Sequence, residues 1–176
     1  MRHAVLFLLA SWVATTPCLA AQRQLTLEVL VRQSTEIVVG EVESIRASWG
    51  EWPGVGRIVV SDITLRVDES WLRSPADGEA TPSSHLVVRV PGGTLADGRQ
   101  VQVSEMPKFS VGERVLVFAR KQGAHHWVTG HAQGKAHVQG RRVVGIPGHA
   151  IDRDVLTPTL RRRVARILEQ KPTCER

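Results

Sequence analysis

Histidine is where possible chemistry concentrates in this sequence. His125, His126, His131 and His137 fall within thirteen residues, and His149 follows. Imidazole is a good ligand for zinc or copper. The even spacing of six that links His125, His131 and His137 would put all three on one face of a single strand. Gly130 and Gly134 interrupt such a strand, however, and the run holds no HExxH pattern, no paired cysteine and no Asp or Glu. No bound cofactor is therefore expected. A metal site at His125, His131 and His137 stands as the alternative, and with it a metal-dependent or hydrolytic enzyme. Nucleophilic catalysis has less to build on, because there is no GxSxG elbow and nothing fixes Ser104 or Ser110 against the histidines. Asp68 and Glu69 are neighbours that would point to opposite faces of a strand, and Asp152 and Asp154 read as solvated surface acids. P-loop and GxGxxG patterns are absent as well. No catalytic residue is assigned, and the expectation is a non-catalytic protein.

Binding chemistry has two candidate surfaces. Trp49 and Trp52 lie in a stretch with Gly50, Pro53, Gly54 and Gly56, which reads as a loop over 49–56. Two indoles on a surface loop are costly to expose, and Trp is enriched at contact hot spots. The second surface is basic: Arg141-Arg142, then Arg161, Arg162, Arg163, Arg166 and Lys171. Of these, Arg161, Arg162 and Arg166 are taken as binding candidates, since a cationic face attracts polyanions.

The compartment narrows the partners. Met1-Arg2-His3 precedes an apolar run from Ala4 to Ala14, broken only by Ser11, and Cys18-Leu19-Ala20 places small residues at a cleavage site. This pattern is a secretory signal peptide over residues 1–20. The run is too short to span a bilayer, which needs roughly 20 apolar residues. Lipid attachment at Cys18 is the rival reading, but Thr15, Thr16 and Pro17 fit it poorly. The protein is thus expected in the periplasm or outside the cell. Its partner would be another exported protein or an anionic envelope surface, with no nucleic acid and no membrane span after processing. Removal of the leader leaves 22 Lys and Arg against 17 Asp and Glu, and Cys174 as the single cysteine. An internal disulfide is then impossible, and a dimer bridged through Cys174 is the alternative to a free thiol.

The elements that would carry these residues are mostly strands. The 176 residues, with 42% hydrophobic and 23% charged, fit a single ordinary domain and exclude a fibrous or multi-pass membrane chain. Thr26 can cap a two-turn helix with Leu27, Leu30 and Val31 on its buried side. Period two then takes over. In Glu36–Arg46, Val38, Gly40 and Val42 alternate with Glu41 and Glu43 as a half-buried strand, and Val59, Ile63, Leu65 and Val67 alternate with Asp62, Arg66 and Asp68. After a polar loop over 74–84, Leu86, Val88 and Val90 alternate up to a Pro91-Gly92-Gly93 turn. Val101 and Val103 mark a shorter strand. Val115–Ala119 is continuously apolar, which predicts a central strand buried on both faces. Two or three short strands follow between Gly130 and Ile146. A closing helix over Pro158–Gln170 has Leu160, Val164, Ile167 and Leu168 as its apolar stripe and Thr157 as its cap. Strands at this spacing, with no helices between them, predict a mainly β fold, an antiparallel sheet closed into a small barrel.

Several blocks resemble an uncharacterised family of exported bacterial proteins. They are Ser34-Thr35-Glu36-Ile37-Val38-Val39-Gly40-Glu41-Val42, Val90-Pro91-Gly92-Gly93, the run from Pro107 to Phe118, and Gln133-Gly134-Lys135. The resemblance covers residues 25–139 and implies a single OB-like barrel, distantly netrin-like. The barrel domain is expected over 21–150, with the C-terminal helix and tail over 151–176 following it. It brings no catalytic residue. The protease-inhibiting mechanism of netrin-like barrels does not transfer, because the mature chain lacks their N-terminal Cys and their disulfides. In the third block, Phe109 is expected to plug one end of the barrel, with Gly112 and Glu113 in the turn before the central strand.

Overall fold

Thr26 opens the described chain as the sequence anticipates. Its side chain accepts a hydrogen bond from the Val29 amide, and α1 (Leu27–Gln33) buries Leu27, Leu30 and Val31. The computed structural model describes residues 24–73, 84–145 and 149–170. The leader over 1–20, Cys18, most of the 74–84 loop, Lys171 and Cys174 lie outside the described residues.

Beyond α1 the protein is mainly β. The strands are β1 (Glu36–Trp52), β2 (Gly56–Arg73), β3 (His85–Pro91), β4 (Gly93–Thr94), β5 (Gln100–Val101), β6 (Arg114–Gln122), β7 (His125–Val128), β8 (Lys135–Gln139), β9 (Arg142–Val143) and β10 (Val155–Leu156). A short 3₁₀ turn at His131–Gly134 precedes β8, and α2 (Thr157–Glu169) closes the described chain. Antiparallel pairing joins β1 to β2, β2 to β3, β7 to β6, and β6 back to β1. The link between β3 and β7 is parallel. The circuit of hydrogen bonds therefore returns to its first strand, while β8, β9 and β10 extend the sheet beyond β6.

Two cores share the central strands. Val38, Val42, Ile63, Leu65, Leu86, Val88, Val115, Val117 and Ala119 pack on the inner side. Ile37, Val39, Leu116 and Phe118 face the other way, onto Leu27, Leu30 and Val31 of α1 and Leu160 and Val164 of α2. The continuous run Val115–Ala119 is thus buried on both faces, as its composition predicts. Phe109 packs against the inner core just ahead of this strand.

Four local expectations need correction. Residues 49–56 are not a loop: β1 runs on to Trp52, and a turn over 53–55 leads straight into β2. Gly50 belongs in that strand because a Cβ there would stand 2.6 Å from a Val60 methyl. The start of β1 is not half-buried, since α1 covers its outer face and buries Ile37 and Val39 as well. Thr157 is the first residue of α2 rather than its cap, a place taken by Leu156. Leu168 does not join the stripe of α2 and is 40% exposed, whereas Ile167 beside it packs against the core.

Candidate functional site

Five strands bring one row of side chains across the outer face. Register pairs Arg46 with Asp62, Asp62 with Arg89, Arg89 with Trp127, and Trp127 with Arg120. Arg89 is the fixed point of this row. Its Nε donates to Asp62 Oδ1 at 2.6 Å and its Nη2 to Oδ2 at 2.7 Å, a two-pronged pair that raises the guanidinium pKa against the cost of burial. The third nitrogen, Nη1, lies 2.8 Å from His125 Nε2. Arginine can only donate, so this imidazole nitrogen is the acceptor.

Around this row the surface opens into a cleft of about 130 Å³, walled by Trp52, Arg89, Arg120, Gln122, Trp127 and His131. A second hollow, between the 52–56 turn and the 122–125 turn, shares Trp52, Gln122 and Trp127 with it. Trp127 is only 8% exposed, and its indole Nε1 is buried without a hydrogen-bond partner. An unmet donor of this kind costs about 1–3 kcal/mol. His131 carries a left-handed backbone (φ 56°), one of two such non-glycine residues among those described. Gly130 before it is also left-handed, and a Cβ there would strike Leu25 and Leu30.

The two tryptophans read as a pair are separated. Trp52 joins Trp127 in the cleft, while Trp49, three residues earlier on a strand of period two, faces the other side. There Trp49 is 46% exposed, with the Arg57 and Arg99 guanidiniums 5.5 and 5.9 Å from its ring. These are cation–π distances.

The histidines are also dispersed. His125 bonds Arg89, His131 lies at the cleft, and His137 on β8 places Nδ1 2.5 Å from Glu113 Oε1, where Lys135 Nζ also lies at 2.6 Å. No group of three or more His, Cys, Asp or Glu among the described residues could hold a metal ion. Ser110 donates its backbone amide to Glu113.

On α2, Arg161 and Arg162 are exposed together with Arg163 and Arg166. Arg161 turns toward Glu69 at 3.6 Å and shares a notch with Arg114 and Arg141, while Arg162 donates to the Pro158 carbonyl. Sequence reasoning passed over Arg89, Arg120 and Trp127. Their only signal was period two, which turns Arg89 outward but says nothing of its neighbours. Among the described residues no helix is long and apolar enough to cross a membrane. The chain matches no family model and no curated protein.

Proposed function

We propose that this chain is an exported, non-catalytic binding module on an OB-like barrel, of the uncharacterised exported family that its sequence blocks resemble. Its recognition surface is the Trp52–Trp127 cleft, and its partner is another exported protein or an anionic envelope component. One observation carries this reading: two indoles wall a single cleft, and one of them keeps a buried N–H with no acceptor. Buried donors are nearly always satisfied, so an exception at a cleft points to an acceptor supplied from outside. The hydrogen-bonding circuit with its one parallel link suits an OB-like closure. Barrels of that type bind ligands on the face of their second and third strands and in the turns beside it. Here that position falls on β2, β3 and the turns over 52–56 and 122–125.

The test is binding to a labelled envelope fraction. Trp52→Ala should weaken it by about 2 kcal/mol or more, whereas Trp49→Ala should leave it unchanged. Arg162, Arg163 and Arg166 have no acidic partner among the described residues, which favours α2 as a second surface. If α2 carries binding, charge reversal at Arg161, Arg162 and Arg166 abolishes it, and wild-type binding falls steeply with salt. Substrate turnover lost on His125→Ala, with the fold intact, would defeat the binding reading. Export predicts a mature mass starting at Ala21. A mass that includes Met1 would defeat it.

A further inference from the structure

We propose that the Trp52–Trp127 cleft takes one ring of an acidic glycan, a sugar bearing an anionic substituent. This rests on the binding reading above and names its ligand. Size is the first argument. A cleft of about 130 Å³ is near the volume that admits one six-membered ring, and too small for a strand or a helix. The walls are the second. Indole faces offer apolar area to the C–H side of a sugar, and the amides of Gln33 and Gln122, also in the lining, can both donate and accept. Hydroxyls need both.

Charge sets the acidic preference. The lining holds Arg89 and Arg120 and no carboxylate. Arg89 is already held by Asp62, but Arg120 has no acidic partner among the described residues. That leaves Arg120 as a cation open to a ligand that must bring acceptors, beside an indole whose buried N–H has none. The left-handed backbone of His131 at the same place is the sort of local cost that persists at ligand sites.

The rival occupants fit less well. An extended peptide reads a free sheet edge, yet β3, β7 and β6 are each paired on both sides. A single-stranded nucleic acid needs a cationic track beyond the first base. The hollow leading out past the 52–56 turn contributes Glu51 and His125 but no Arg or Lys.

Tryptophan fluorescence and calorimetry on the mature chain provide the test. Oligogalacturonate, alginate and heparin-derived fragments are compared with neutral galactose oligomers and with oligothymidylate. At least one acidic glycan should bind about tenfold or more tighter than the neutral oligomers. Arg120→Gln should remove that preference, bringing the affinity for acidic glycans down to that for the neutral oligomers. Trp127→Phe keeps an aromatic ring, though a smaller one, removes the donor, and should cost roughly tenfold toward every glycan. Trp52→Ala should abolish binding, and Trp49→Ala should not matter. Arg120 is exposed, so its variant tests the idea even if a Trp127 variant folds poorly.

Equal affinity for acidic and neutral oligomers would overturn the charge argument, and preference for oligothymidylate would overturn the ligand class. No glycan binding, with envelope binding still lost in Trp52→Ala, would sink the glycan and keep the binding module. Loss of neither would sink both.

Discussion

Arg89 turns its whole guanidinium onto protein groups, with both carboxylate oxygens of Asp62 on one side and His125 on the other. Asp62→Ala would leave that cation, 14% exposed at its side chain, with a single imidazole acceptor. The expected loss is about 1–3 kcal/mol in urea unfolding, and removing Arg89 as well should cost less than the sum of the two single changes. Additive costs would mean that the pair does not act as a unit. His126 next door shows the reverse electrostatics. Burial lowers its pKa first, and Lys121, Arg73 and His125 add to the effect. Glu36 is 4.0 Å away and already paired with Arg73, so it does not offset this. The unfolded imidazole therefore takes its proton at about pH 6.5, before the folded one does. Below that pH the unfolded state holds more protons and stability falls with acidification, while above it His126 contributes no slope. Between about pH 7.5 and about pH 5.5 the wild type should lose more urea resistance than His126→Gln. An identical loss in both would assign the slope to other groups.

At the scale of elements, what could be read from sequence was whatever a local pattern carries. The Thr26 cap, the outward Asp62 and Arg89, and the doubly buried Val115–Ala119 all follow from spacing within one segment. The β1–β2 extension was illegible because Gly50, Pro53, Gly54 and Gly56 are turn residues by type. Only the contact of Gly50 with Val60 across the hairpin shows why one of them sits in a strand. The cleft was half legible for the same reason. Trp52 stood out as an exposed aromatic, but its partners arrive from β3, β6 and β7, whose order depends on long-range pairing. Gly40 illustrates how tight that pairing is. The register of β1 against β2 shifts just there, and a Cβ on Gly40 would stand 2.4 Å from the Arg66 carbonyl oxygen. Backbone cannot yield as a flexible side chain can. Gly40→Ala should cost roughly 2–4 kcal/mol. Gly54→Ala at the hairpin tip meets nothing within 4 Å and should cost only about 1 kcal/mol, from its left-handed backbone. Equal costs in a denaturant series would refute the steric account.

The whole molecule is one cooperative unit if its two cores cannot open separately. β1 and β6 supply both: Val38, Val42, Val115 and Val117 go inward, and Ile37, Val39, Leu116 and Phe118 go outward onto the helices. Loosening α2 therefore uncovers the backs of the strands that hold the inner core together. Leu160 is the place to test this, since it is 1% exposed, carries no polar side-chain atom and lies 38 residues beyond the end of β6 in the chain. Leu160→Ala should cost about 2–5 kcal/mol through lost burial and the cavity left behind. The distribution of that loss decides the question. With shared strands, far-UV circular dichroism, which reports the sheet, and tryptophan fluorescence, which includes Trp127 on the cleft side, should move to lower urea together and keep one midpoint. If the helices instead formed a separable layer, a first transition would release α1 and α2 while the cleft fluorescence held. The loss at Leu160 would then leave ligand affinity untouched at urea concentrations where the helices have melted. Coincident midpoints would make the binding face depend on packing at the far side of the sheet. A substitution in α2 that touches no ligand would then lower the folded, binding-competent fraction as urea rises, without changing the cleft itself.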